Sequence, residues 1–341
     1  MTWRQFTGSL KITVISALGA LVLEFRRFSL LCAVTLAIAA CGGNSAGQEN
    51  SREKTDITIG MLALPEVAPV QLAIDKGYFA AEGLTVEVEV IAGGAAAMPD
   101  LVSGKLDVLH SNYVSALAAS AGGVVKTKII GDAYVAKPGN FVLMTKKGSP
   151  ITTVAGLKGA TIGVNTLNNV ATLSVSALLK PAGLTPADVR FVERPFPEMA
   201  AALEGDQVDV AFLPEPFHQA AARKGAVVLS DLFTGPTADF PISGYLTTEA
   251  FARGNPKAVA GFQRAVRKAA DLAVASPAEI APALEKYTKI DRATAGEMKL
   301  GGYSTSVDAA RLQRVADLML EFGYLKQKFD VTPMLAGGAS S

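Results

Sequence analysis

The chain has few of the residues that metal centres and thiol chemistry require. Its 341 residues include two cysteines, two histidines and one tryptophan. Cys32 and Cys41 both lie near the N-terminus, and His110 and His218 are far apart in the sequence. The region after Cys41 therefore has no thiol for a disulfide or a nucleophile, and no cluster of histidines or cysteines for a metal. We predict neither a metal site nor a cofactor.

The N-terminal region has the pattern of a lipoprotein signal peptide. Arg26 and Arg27 precede an apolar stretch, residues 28–40, that is short for a membrane span. Small residues stand directly before Cys41, as signal cleavage requires, and the polar segment 42–55 follows. The pattern predicts that Cys41 is lipidated and becomes the first residue of an exported protein held at a membrane surface.

The predicted signal peptide, residues 1–40, is longer than the usual length of roughly 15–30 residues. A second apolar run, residues 12–23, precedes the arginine pair. A translation start near residues 22–24 would explain the extra length. Two alternatives remain: a membrane anchor of two segments, and a buried apolar helix that ends in cysteine by chance.

The charge of the remaining chain is nearly balanced. The full sequence has 32 basic and 31 acidic residues, and residues 1–40 contain four of the basic and one of the acidic ones. The other 301 residues thus carry 28 basic and 30 acidic side chains, a formal charge of −2. This balance does not indicate nucleic-acid binding. The length is more than one typical domain needs and suggests two.

Strand and helix patterns alternate from Asp56 to Thr248, in two successive blocks. Such alternation predicts parallel sheets covered by helices. After Thr248 the pattern is helical only, with predicted helices at residues 256–275, 277–287, 292–298 and 306–322. The predicted fold class is α/β, with two lobes, a cleft between them and a helical tail that packs on the first lobe.

Ligands of parallel sheets bind beyond the carboxyl ends of the strands, near helix N-termini. Four predicted loops meet this condition, at residues 61–66, 110–113, 164–172 and 212–217. Together with one aromatic residue farther along, they supply the candidate ligand-binding residues: Leu64, Glu66, Ser111, Asn112, Tyr113, Asn168, Asn169, Thr172, Glu215 and Tyr245.

Most polar candidates also have a purely structural interpretation. Side chains at helix starts can act as N-caps, which applies to Ser111, Asn112, Asn168, Asn169 and Thr172. Tyr113 can be a core residue, and Glu215 can cap the helix that follows it. His110, one residue past a predicted strand, is interpreted as a structural histidine and not as a ligand-binding residue.

Several motifs resemble those of the substrate-binding proteins of ABC importers, in the group that binds nitrate, sulfonates, taurine and thiamine-pyrimidine precursors. They are the segments at residues 69–84, 101–108, 157–164 and 202–210, and the turn Pro214-Glu215-Pro216, where the family has Trp-Glu-Pro. Their order and spacing through most of the chain carry the resemblance, and the lipoprotein signal agrees with it.

The resemblance implies a type II periplasmic-binding-protein fold with two crossovers. Lobe one would comprise residues 56–146 and 245–341, and lobe two residues 147–244, with hinges at residues 144–146 and 244–245. The protein would be a monomer, lipid-anchored on the outer face of the membrane. It would capture a small molecule and deliver it to an ABC permease with its ATPase.

The candidate loops contain acids and aromatic rings but no obvious cation. They suit a neutral or cationic nitrogen compound such as a pyrimidine better than nitrate or a sulfonate, since a buried acid opposes an anion. Two other functions remain as alternatives: an enzyme of the same fold in thiamine-pyrimidine or sulfinate metabolism, and a binding or sensor lipoprotein without transport. The absent cysteine and the predicted export argue against an enzyme.

Overall fold

The structure, a computed structural model, describes residues 53–304 and 306–336. The predicted signal peptide, Cys41 and nearly all of the predicted tether lie outside the described residues. Within the described ranges, no helix has both the length and the apolar character needed to cross a membrane.

The first sheet contains six strands in the order β11-β4-β10-β3-β1-β2. They are β1 (Asp56–Met61), β2 (Thr85–Val90), β3 (Val108–Asn112), β4 (Thr127–Val135), β10 (Pro241–Thr248) and β11 (Gly302–Tyr303). β1 pairs in parallel with β2 and β3, whereas β10 and β11 run antiparallel to their neighbours.

The second sheet contains five strands in the order β7-β6-β8-β5-β9. They are β5 (Phe141–Lys146), β6 (Thr161–Val164), β7 (Arg190–Glu193), β8 (Val210–Pro214) and β9 (Ala226–Asp231). β6 is parallel to β7 and β8, and β5 is antiparallel to β8 and β9. Each sheet thus repeats one plan: three parallel strands, to which every further strand is added by antiparallel pairing.

Helices cover both sheets, and the last five form the tail. Their bounds are α1 (Ala68–Asp75), α2 (Tyr78–Ala81), α3 (Met98–Ser103), α4 (Tyr113–Ala121), α5 (Val170–Leu179), α6 (Phe196–Glu204), α7 (Phe217–Arg223), α8 (Glu249–Gly254), α9 (Pro256–Ala275), α10 (Ile280–Tyr287), α11 (Arg292–Glu297) and α12 (Ala309–Glu321).

Two details of the sequence prediction were wrong. The sheets are mixed and not purely parallel, because β5 and β10 enter their sheets through short connections without the crossover helix that a parallel partner needs. In addition, β5 belongs wholly to the second sheet and β10 to the first. The chain therefore crosses between sheets within residues 136–140 and 232–240, earlier than the predicted hinges at 144–146 and 244–245. The remaining limits of the two lobes stay predictions.

The tail packs on the helices of the first sheet. The long helix α9 contacts α1 and α2, and α10 contacts α1. Phe262 of α9 packs against Phe79 of α2, with ring centroids 5.4 Å apart, and both rings are buried. Across the edge of this contact, Arg264 donates to the carboxylate of Glu82. An apolar stripe on α9 therefore joins the tail to the core of the first sheet.

Candidate ligand-binding site

A narrow cavity of ≈ 40 Å³ lies between the two sheets. Residues that follow or end β1 and β3 form one wall, and residues that follow or end β6 and β8 contribute to the other. The lining residues are Leu62, Leu64, Glu66, Gly94, Ala95, His110, Asn112, Ser115, Phe141, Asn165, Thr166, Asn169, Val170, Phe196, Phe212, Pro214 and Ile242. Both walls thus use the strand ends at which ligands of α/β sheets bind.

The wall from the first sheet contains a buried polar cluster. Glu66 is 5% exposed and lies in a short 3₁₀ turn after β1, and His110 in β3 is 1% exposed. His110 Nε2 is 3.2 Å from Glu66 Oε2, and Ser243 of β10 donates its hydroxyl to the same oxygen. The strands β1, β3 and β10 are neighbours in the sheet, which brings these three side chains together.

Two tyrosines of the tail hold the loop that carries Glu66. Tyr287 donates to the carbonyl oxygen of Leu64 at 2.8 Å, and Tyr303 donates to that of Pro65 at 2.9 Å. Burial raises the pKa of both phenols well above the usual value, so both hydroxyls keep the proton that they donate. The two tyrosines therefore fix the two backbone carbonyls that directly precede Glu66, without using its carboxylate.

A glycine allows the loop at residues 93–97 to approach β3 closely. A Cβ atom on Gly94 would lie 2.3 Å from Ser111 Oγ and 2.8 Å from Ser111 Cα. Any side chain at position 94 would therefore push this part of the cavity wall away from the strand.

On the second sheet, the polar groups of the wall come from the loop after β6 and from the N-cap of α5. Asn169 is the N-cap: its side chain accepts from Ala171 N at 2.9 Å and donates to Asn165 Oδ1 at 3.2 Å. Thr172 Oγ1 completes the capping box by accepting from Asn169 N at 3.1 Å. The structural interpretation of Asn169 and Thr172 is therefore confirmed, although Asn169 also lines the cavity.

Three phenylalanines supply the aromatic part of the lining. The ring of Phe212 lies between those of Phe141 and Phe196, with centroids 6.0 and 6.2 Å away. No lysine or arginine is among the residues that line the cavity. The walls thus combine one buried carboxylate, one imidazole, amide and hydroxyl groups, and aromatic faces.

Of the ten predicted site residues, four line the cavity: Leu64, Glu66, Asn112 and Asn169. The other six are not in the lining. Asn168 is an exposed residue with a φ of 53°, and Ser111 is buried beneath the wall. The binding role predicted for these six residues stays a prediction.

Tyr113 and Tyr245 are core residues of the first sheet. Tyr113 donates to Asp132 Oδ1 at 2.7 Å, which agrees with its structural interpretation. The ring of Tyr245 packs against Phe262 at 5.6 Å and against His110 at 6.0 Å.

Glu215 is buried at the end of β8, but it contacts the tail. Its Oε1 accepts from the backbone N–H of Lys299 at 2.9 Å and lies 3.3 Å from His218 Nδ1. Gln219, in the first turn of α7, donates to the same oxygen at 3.4 Å. The structure therefore gives Glu215 a role in holding residues 297–301 against the second sheet.

Sequence reasoning missed His110, Phe141 and Phe212. Phe141 and Phe212 have the pattern of ordinary buried strand residues, and no local signal separates a core phenylalanine from one that faces a cavity. His110 carried a usable signal, since it stands at the end of a predicted strand within a candidate loop. Among the described residues, no group of three or more His, Cys, Asp or Glu side chains could hold a metal ion.

Comparison with known proteins agrees with the fold and with the motifs. The family described as "NMT1/THI5 like" matches residues 64–280. The riboflavin-binding protein RibY of Chloroflexus aurantiacus is 29% identical over 230 residues, 65% of this chain and 64% of RibY, so the match spans just under two thirds of that relative. The 4-amino-5-hydroxymethyl-2-methylpyrimidine phosphate synthase of Aspergillus parasiticus is 27% identical over 248 residues, 70% of each chain.

Among solved structures, the periplasmic aliphatic sulphonate binding protein SsuA of Escherichia coli superposes with a TM-score of 0.68 at 21% identity, over 83% of this chain and 98% of SsuA. This likeness shows the two-lobed periplasmic-binding-protein fold that the sequence predicted. The match over residues 64–280 covers more than half of the chain, and the protein therefore belongs to the NMT1/THI5-like family.

Proposed function

We propose that the protein is an extracytoplasmic solute-binding lipoprotein of an ABC importer. It captures a small molecule between its two sheets and delivers it to a permease that works with an ATPase. The observation that supports this best is the cavity, because its walls come from strand ends of both sheets while the chain crosses between the sheets only twice. Two sheets joined by two short segments can part and close around a ligand.

The ligand class follows from the chemistry of the lining. A buried carboxylate at Glu66 and the absence of lysine and arginine from the lining disfavour an anion. Phenylalanine faces and amide groups suit a flat nitrogen heterocycle, neutral or cationic, such as a pyrimidine. A cavity of ≈ 40 Å³ is too small for such a ring, so the sheets must separate for it to enter.

A stability screen on the detergent-purified full chain tests this function. The panel contains 4-amino-5-hydroxymethyl-2-methylpyrimidine, riboflavin, nitrate and ethanesulfonate, each added over a range of concentrations. A compound present at 100 times its dissociation constant adds about 2.7 kcal/mol to the free energy of unfolding. We expect stabilisation by the pyrimidine or by riboflavin and none by the two anions. Stabilisation by nitrate or ethanesulfonate alone would overturn the ligand class, and no response to any compound would count against the proposed function.

The pyrimidine synthases among the relatives make an enzyme the second candidate. The described residues contain no cysteine, and the sequence pattern predicts export, which argues for binding without turnover. The same titrations provide the test, because a binding protein returns the added compound unchanged when the sample is denatured and analysed by mass spectrometry. Conversion of the pyrimidine or of riboflavin would favour the enzyme.

Membrane attachment through Cys41 is the part of the proposal that depends on the sequence pattern alone. We expect Cys41→Ser to move the protein from the membrane fraction to the released fraction while the binding of panel compounds stays the same. Fractionation followed by immunoblotting measures this. Full membrane retention of the variant in cells with normal lipoprotein processing would contradict the anchor.

A further inference from the structure

His110 is the one cavity-lining side chain whose polar atoms are buried and uncommitted among the described residues. The residue is 1% exposed, and neither Nδ1 nor Nε2 makes a hydrogen bond of acceptable geometry with a described group. Nε2 is close to Glu66 Oε2, at 3.2 Å, but the N–H direction is poorly aligned with the oxygen. Such a side chain loses hydration without gaining a bond, so its presence requires an explanation.

A structural role does not supply that explanation. A structural histidine in a sheet is held by backbone or side-chain partners, as Tyr113 is by Asp132. The aromatic partner of His110 is Tyr245, whose tilted ring has its centroid 6.0 Å away. Glu66, its only acidic neighbour, already accepts the hydroxyl hydrogen of Ser243. His110 therefore contributes packing but no polar contact to the first sheet.

The carboxylate of Glu66 determines which ring nitrogen is available. A neutral imidazole has one donor and one acceptor nitrogen, and a carboxylate beside Nε2 favours the tautomer with its hydrogen on Nε2. Nδ1 is then an acceptor. An ionised carboxylate also has more acceptor positions than the Ser243 hydroxyl occupies. Nδ1 and the Glu66 carboxylate are then both acceptors, on different sides of the imidazole ring, and a complementary ligand supplies donors.

We propose that His110 is a ligand-contacting, specificity-determining residue that, with Glu66, selects compounds carrying an amino or ring N–H donor edge. This inference rests on the proposed function, and it limits the proposed nitrogen heterocycles to those that carry an N–H donor. A heterocycle that bears an exocyclic amino group fits, because that group can donate to one of these acceptors. The same heterocycle without the amino group leaves that acceptor unpaired.

The test combines one substitution in the protein with one in the probe. The full chain is titrated with 4-amino-5-hydroxymethyl-2-methylpyrimidine and with the same compound lacking the 4-amino group. We expect the wild type to bind the amino compound at least about tenfold more tightly, since an unpaired buried acceptor costs about a factor of ten or more. In His110→Leu this preference should shrink to about twofold or less. His110→Asn places an amide oxygen near the position of Nδ1 and should restore part of the preference for the amino compound.

His218→Leu is the matched control. His218 is the other histidine of the chain, is also nearly buried, and lies 3.3 Å from an acid, Glu215, yet it does not line the cavity. We expect it to keep the full preference for the amino compound. Equal preference in the wild type and in His110→Leu would overturn the proposal and leave the proposed function standing, whereas a wild type that binds neither probe nor any other panel compound would count against the proposed function.

Unfolding of the free protein provides a second test that needs no ligand. Replacing a buried histidine without polar partners by leucine should leave the unfolding temperature unchanged or raise it, because a residue kept for binding costs stability. A clear drop in the unfolding temperature of His110→Leu, greater than that of His218→Leu, would show that His110 is structural and would overturn the proposal even if no ligand were found.

Discussion

Next to each sheet lies one buried glutamate beside one histidine, and the two pairs have different surroundings. Glu66 and His110 lie 3.2 Å apart in the first sheet, and Glu215 and His218 lie 3.3 Å apart in the second. Both glutamates directly follow a proline near the end of a strand. From the sequence, Glu215 has the more constrained position, since a second proline follows it.

The two prolines suggest that Glu215 is the better candidate for binding a ligand, but in the structure Glu66 is the better candidate. Glu66 lines the cavity, while the backbone around it is held by two tail tyrosines that leave the carboxylate alone. Glu215 is outside the lining and is bonded to the tail through Lys299 N. The difference between the two acids is therefore one of partners: the Glu66 carboxylate lines the cavity, whereas the Glu215 carboxylate accepts a backbone hydrogen bond from the tail.

The largest expected effect compares the two acids directly. Glu66→Gln should weaken the binding of 4-amino-5-hydroxymethyl-2-methylpyrimidine by about ten- to a hundredfold, because a charge-assisted hydrogen bond of about 1.5–3 kcal/mol is lost. Glu215→Gln should leave the affinity within about twofold, since its carboxylate contacts the tail. Isothermal titration calorimetry on the full chain measures both variants. The opposite ranking would restore Glu215 as the ligand-binding acid that the sequence predicted.

The second effect concerns stability and should appear at Glu215. Glu215→Ala removes the acceptor of the Lys299 N–H, and we expect the free energy of unfolding to fall by about 0.5–1.5 kcal/mol, the net value of one hydrogen bond. Glu198→Ala, at an exposed acid in the first turn of α6, is the control and should stay within about 0.5 kcal/mol. Urea denaturation measures both. If Glu215→Ala and Glu198→Ala lowered the free energy of unfolding equally, the contact between Glu215 and the tail would contribute nothing to stability.

The smallest effect concerns the link between the sheets. Lys137 and Asp239 stand in the two crossing segments, with Nζ and Oδ1 2.6 Å apart. The hydrogen bond from Lys137 lowers the pKa of the Asp239 carboxyl below its usual 3.8. The pKa of Asp239 is thus lower in the folded protein than in the unfolded chain. The pair therefore stabilises the fold at pH values above 3.8, and this contribution is lost as the pH falls from 3.8 towards the pKa of the folded protein.

Asp239→Asn isolates this contribution, because asparagine tolerates the left-handed backbone at this position, where φ is 51°. The variant should be slightly less stable than the wild type at pH 6, and the difference should shrink as the pH falls below 3.8. Unfolding curves at a series of pH values measure it. A difference that stays constant over this range would show that the charge of Asp239 is not involved.

Local patterns determined a large part of this molecule. The alternation of apolar residues, with glycines after the helices, predicted two α/β blocks and a helical tail, because periodicity and caps depend on neighbouring residues. The motifs at residues 69–84 and 202–210 indicated the family. The same local reasoning gave N-capping as one of two interpretations of Asn169, and placed Glu66 as an acid at a strand end.

Tertiary structure alone decided which buried groups face the cavity. Ser243 reaches Glu66 across 177 residues of sequence, and Tyr303 reaches Pro65 across 238. Phe141 joins the lining because β5 is placed in the second sheet, which no periodic pattern specifies. These contacts depend on how the chain crosses between the sheets and returns as a tail. A sequence pattern carries the period of a strand or helix, but not the partner that long-range packing places against it.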